Sequence, residues 1–110
     1  MNKKYSRNYK IYILSNLPTI EFEAVLAHEY IHIWQYENNV KLSETYSEGL
    51  CNLASELIYL NDNTRFSDLH IKIIHEDPDP VYGDGFRMMK AEKDKLGWNR
   101  FLLNFIKLDR

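Results

Sequence analysis

The pentapeptide His28-Glu29-Tyr30-Ile31-His32 is the strongest constraint this sequence places on its own fold. Two histidines four residues apart share a face only if the chain between them is helical. Their Cβ atoms then stand about 5–6 Å apart, and both imidazoles reach one point in space. Zinc suits imidazole nitrogens and accepts a tetrahedral shell with one position left to water. Glu29, one residue along, is poorly placed to share the ion but can take a proton from that water, which the metal acidifies. With four histidines and nine glutamates in the chain, chance alone gives the pattern in roughly one shuffled sequence in a hundred. The competing reading is two surface histidines on an amphipathic helix.

A site must be held by a core, and 110 residues supply one domain without room for a second. Hydrophobic residues make up 45% and charged residues 27%, a composition that folds. The net charge of −2 argues against a nucleic-acid partner. Charge is unevenly spread: residues 1–10 are net +4, residues 11–80 net −9 and residues 81–110 net +3. A basic tail beside an acidic body favours docking of one on the other. The single cysteine, Cys51, excludes an intramolecular disulfide. No apolar run spans a membrane and no secretory h-region follows the basic N-terminus, so the expected location is the cytoplasm.

Local patterns predict one strand followed mostly by helices. Residues 9–14 (Tyr-Lys-Ile-Tyr-Ile-Leu) are β-branched and aromatic and read as a strand. Pro18 closes a turn, Thr19 is the expected N-cap, and Phe22, Val25, Leu26, Ile33 and Tyr36 give a helical spacing that ends at Asn38-Asn39. Ser43 caps a second helix with a stripe of Leu50, Leu53, Ala54, Leu57 and Ile58. Asn61-Asp62-Asn63 stops it. A third helix is expected at about 65–76, with Phe66, Leu69, Ile73 and Ile74 inward. The prolines of 76–80 end it, and Tyr82-Gly83-Asp84-Gly85 reads as a turn or mobile loop. Helical patterns resume at 86–96, break at Gly97 and restart at Trp98.

A third ligand is expected from the second helix. Glu48 follows His32 by sixteen residues, and two antiparallel helices with a short connection return it beside the first. Asn52, one turn on, can hydrogen-bond a ligating imidazole. Cys51 lies on the same side and could ligate as thiolate, but a small buried hydrophobe is the preferred reading. His70 and His75 lack paired spacing and read as surface or helix-end residues. Asp77 and Asp79 flank prolines and read as turn residues.

These residues resemble the gluzincin metallopeptidases. The blocks Leu26–Trp34, Ser47–Cys51 and Tyr82–Arg87 are similar to the peptidase region of plant LIM-domain growth-regulating peptidases, and the overall size resembles the minigluzincins. The resemblance implies zinc ligands His28, His32 and Glu48, one zinc per chain, and Glu29 as the general base. It implies a minimal α+β zincin fold, mostly helical with a small β element. It also implies latency imposed by the C-terminal segment, here about residues 86–110. The larger gluzincins add a lower domain that supplies an oxyanion-stabilising Tyr or His. Tyr82 and Tyr46 are the candidates here.

The function expected from these readings is a zinc-dependent, latent peptidase acting on peptide or protein substrates, with residues 9–14 as an edge strand for an extended peptide. The rival is a non-catalytic zinc-binding module that dimerises. The apolar stripe Trp98, Phe101, Leu102, Phe105 and Ile106 needs a partner. A helix at about 98–108 is expected to cover the metal site or to join two copies as a homodimer.

Overall fold

A computed structural model describes residues 8–106, which form five helices. They are α1 (Thr19–Glu37), α2 (Glu44–Asp62), α3 (Arg65–Glu76), α4 (Tyr82–Leu96) and α5 (Trp98–Leu103). The basic residues Lys3, Lys4 and Arg7, and the end of the expected tail helix from 107 onward, lie outside the described residues.

The α+β expectation is overturned: among the described residues every regular element is a helix. Residues 9–14 are extended, and their alternation survives, with Ile11 and Ile13 half-buried while Tyr12 and Leu14 are exposed. A strand also needs a neighbour to complete its ladder, and among the described residues no other extended segment lies beside this one. The expected edge strand for a peptide is therefore not formed. Instead the segment follows α1. The Tyr9 hydroxyl donates to Glu37 Oε2 (2.6 Å) at one end, and Pro18 joins α1 at the other. Nineteen helical residues span about 28 Å, roughly what nine extended residues cover.

The helix ends have local causes. Pro18, rather than the expected Thr19, takes the N-cap of α1, and its carbonyl accepts from Phe22 N–H. A fixed φ and a missing N–H suit proline to this boundary. At the other end Asn39 is left-handed (φ 54°), with Asn39 N–H on Tyr36 O and Val40 N–H on Gln35 O, a Schellman arrangement. Ser43 caps α2 by accepting from Tyr46 N–H, as expected. Left-handed Asn63 closes α2, and Thr64 caps α3.

The second correction concerns residues 82–85. They are the first turn of α4, and not a loop. The Asp79 carboxylate accepts from Val81 and Tyr82 N–H and starts the helix. The glycines serve contact, not flexibility. A Cβ on Gly85 would stand 2.1 Å from Thr45 O, and one on Gly49 2.2 Å from Gly85 O, so α2 and α4 touch backbone to backbone.

Leu50, Leu53, Phe86, Met89 and Phe101 form the core, with Ile31, Trp34, Ile74 and Trp98 packed around them. Other expected core positions lie outside it. Phe66, Leu69 and Ile73 of α3, Leu57 of α2, and Phe22 and Tyr36 of α1 are exposed. α3 is covered on one side only, so its apolar stripe is wider than the face it buries. α5 completes its own chain's core through Phe101, with Trp98, Leu102 and Phe105 against the same cluster. The apolar stripe of the tail thus has a partner within the fold.

Candidate metal centre

His28 and His32 stand one helical turn apart on α1, their rings 5.2 Å between centroids. Glu48, in the second turn of α2, faces both. Its Oε1 is 3.0 Å from His28 Nε2 and its Oε2 is 3.3 Å from His32 Nε2. Three donor atoms around a tetrahedral zinc are separated by about 3.3–3.5 Å, given bonds of about 2.0–2.2 Å. The observed spacing is close to that. Asn52, one turn beyond Glu48, places Oδ1 2.9 Å from His28 Nδ1. An amide oxygen only accepts, so Nδ1 carries the proton; Nε2–H donates to Glu48 Oε1 while no cation lies between them, and Nε2 would turn a lone pair to an ion bound there. The expected ligands and the expected partner of the imidazole therefore meet at one place.

The structure adds a fourth donor. The ligating atoms of His28, His32, Glu48 and Cys51 all lie within 4.8 Å of one another, so this group could hold a metal ion. Cys51 is fully buried. Burial, and then the charges of Glu48 and Glu29, push its thiol well above the usual range, so without a cation it stays protonated. Gln35, buried on α1, donates Nε2–H to Cys51 Sγ (3.7 Å) and accepts from the Ser47 hydroxyl at Oε1 (2.9 Å). The amide thus ties α1 to α2 directly beneath the cluster. The sequence offers one signal for Gln35: it lies one turn past Ile31 on a face with apolar neighbours, where a polar residue needs partners.

Glu29 is half-buried and, among the described residues, makes no hydrogen bond or ion pair. It shares with His28 and Asn52 the wall of a cleft of about 340 Å³ that runs between α1, α2 and α3. A second cleft, about 310 Å³, lies beside His32 and is lined also by Tyr36, Lys41 and Ser47. No residue of α5 lines either cleft.

The two tyrosines separate. The charge of Glu48 is the largest influence on the Tyr82 phenol, followed by burial and by Glu44, Asp79 and Glu29; together they raise its pKa. Tyr82 therefore belongs to the acidic side of the cluster and keeps its proton. Tyr46 instead lines a cavity with Met88, Met89, Glu92 and Phe101, on the α4–α5 side. The Gly49–Gly85 contact accounts for the difference, since it seats the first turn of α4 against the turn of α2 that carries Glu48.

Elsewhere, Asp77 and Asp79 are turn residues as expected, accepting from backbone N–H groups of 79, 81 and 82. His75 is a helix-end residue, but it is engaged. Its Nε2 is 2.6 Å from Glu56 Oε2, and Lys90 Nζ is 2.9 Å from Oε1 of the same buried carboxylate. Sequence spacing gave no sign of this link between α2, α3 and α4, because its members are 15 to 34 positions apart.

No helix among the described residues is long and apolar enough to cross a membrane. No protein-family model, no curated protein and no solved structure matches the chain.

Proposed function

We propose that the chain is a zinc-dependent peptidase of gluzincin type, with His28, His32 and Glu48 as ligands and Glu29 as general base. The observation that carries this reading is Glu29, a half-buried carboxylate with no partner among the described residues, which lines the same cleft as His28 of the three-residue cluster. A structural zinc site has no use for such a group. Zinc bound there would polarise a scissile carbonyl and acidify the attacking water. Asn52 holds His28 in the ligating tautomer. Glu29 takes the proton from the attacking water and delivers it to the departing amine. Tyr82, a neutral phenol on the Glu48 side, is the proposed donor to the developing oxyanion. The test is zinc content together with cleavage of a mixed peptide library, wild type against Glu29→Gln. Equal cleavage by both proteins defeats the reading.

A second reading has its own support in Cys51. Four protein ligands close a zinc shell and make it structural, and Cys51 Sγ lies within reach of the other three. The chain would then be a zinc-stabilised interaction module, with pairing of two copies as its use. Cobalt substitution separates the two readings. An intense thiolate charge-transfer band that disappears in Cys51→Ser means a closed shell; its absence means a site open to water.

A further inference from the structure

Two clefts meet at Asn104 and Phe105, and none of the four residues of the metal cluster lines either. One, about 440 Å³, has buried Met89 and Phe101 below and the exposed side chains of Tyr46 and Met88 at its rim. The other, about 530 Å³, continues past Phe105 over Val40 and Leu42 of the α1–α2 connection. Each has the size of a small-molecule pocket, about 300–1,000 Å³. Together they form an apolar trough from α4 to the connection, and its two methionines adapt readily to a flexible guest.

Polar groups are unevenly placed along it. Lys41, Asn39 and Asn104 line the end at the connection, and no carboxylate lines that end. Among the described residues none of these three side chains has a hydrogen bond or ion pair. An ammonium and two amide NH₂ groups offer free donors there, and the ammonium can only donate. At the methionine end the charged residue is Glu92, exposed on the rim. One end therefore suits an anion, and the other repels a second one.

We infer that the trough binds a long-chain monocarboxylate, a free fatty acid, with its head on Lys41 and its chain over Phe105 toward Met89. The inference does not depend on the peptidase reading. Lys41 and Asn39 also line the cleft beside His32, so the head stands on a ridge between two clefts and the chain decides the side. An alkyl chain sheds more water contact against Phe105 and Met89 than among His32, Gln35 and Ser47.

The test titrates the full chain, freed of metal, with dodecanoate, dodecanol and dodecylamine below their micellar concentrations while amide NMR shifts are followed. Saturable binding of dodecanoate, with shifts at Lys41, Leu42, Met89 and Phe105, is expected. Dodecanol keeps the chain and lacks the charge, and should bind about tenfold more weakly, with dodecylamine weaker still. Lys41→Gln, an exposed change, should bring dodecanoate down to the level of dodecanol and leave dodecanol unmoved. Met88→Glu, also exposed, should weaken both. Absent or non-saturable binding, an amine bound as tightly as the carboxylate, or an unchanged affinity in Lys41→Gln overturns the inference. Shifts at His32, Tyr36 and Ser47 in place of Met89 and Phe105 overturn it too, by placing the chain in the other cleft. A dimeric mass in light scattering with no uptake of dodecanoate gives the trough to a second copy instead.

Discussion

Asn52 Oδ1 lies 2.9 Å from His28 Nδ1, on the side of the ring away from Glu48. One residue on α2 thus fixes the Nδ1 proton of a candidate ligand on α1, and another on the same helix meets its Nε2. Removing the first should weaken the second's work without deleting a ligand. Asn52→Leu is expected to bind zinc about 10–100-fold more weakly, while His28→Ala, His32→Ala and Glu48→Ala lose stoichiometric binding. Chelator competition with purified protein measures both. Equal zinc affinity in all five proteins would show that the ion is held elsewhere.

Glu29→Gln preserves shape and removes basicity. Zinc content is expected to stay at one per chain, while cleavage falls about 10²–10⁴-fold. Metal analysis and peptide assays on the same preparation separate a lost base from a lost metal.

Gly85→Ala places a methyl group against Thr45 O. Overpacking of this kind costs about 1–3 kcal/mol, and here the obstacle is backbone, which gives way only if α4 moves off α2. Thermal unfolding should show a lower Tm, with the shift exceeding that of Gly97→Ala in size. At Gly97 a Cβ meets open space, and the cost comes only from its φ of +83°.

Phe101→Ala removes a side chain that is 1% exposed from the centre of the core. A loss of about 3–5 kcal/mol is expected, large beside the usual stability of a small domain. Light scattering on wild type and Leu103→Glu addresses pairing of copies separately, since Leu103 is exposed on the same helix. A dimeric mass that drops to the monomer in Leu103→Glu supports pairing through α5.

Tyr59 gives a pH signature. Burial, then the charge of Glu21, pushes its phenol up to about 12 from an ordinary 10. Its folded pKa lies above the unfolded one, so the stability it contributes is complete below pH 10 and is lost as pH rises toward 12. Ultraviolet titration should show a tyrosine that ionises last, missing from the Tyr59→Phe curve.

Much of the helical layout was legible in the sequence because its signals are local. Ser43 starts a helix through its hydroxyl, Asn63 and Gly97 end helices through a positive φ, and the spacing of His28 and His32 declares a shared face. Glu48 could be placed from the shortness of the 38–43 connection alone. The misreadings arose where a partner decides. Residues 9–14 have strand composition, but composition does not supply a neighbouring strand. Gly83 and Gly85 look like loop residues until Asp77 and Thr45 are known to press against them. The stripe on α3 has helical period, yet period does not say how wide a face is covered. Gln35 and Glu56 are set by contacts across 12 to 34 positions, which no window along the chain can contain.

The connection between α1 and α2 is shut without an ion: a Schellman turn folds it, Ser43 caps its far side, and Ser47 and Cys51 are latched to Gln35. A cation bridging His32 and Glu48 would therefore cross-link a loop that is already closed, and loop-closure entropy would add little to its effect. Small zinc modules of the finger type fold only when metal arrives. For zinc held by His28, His32 and Glu48, as proposed, the closed connection implies the opposite order of events. Apoprotein should keep its helices, accept the ion quickly into a preformed cradle, and release it to a chelator without collapsing.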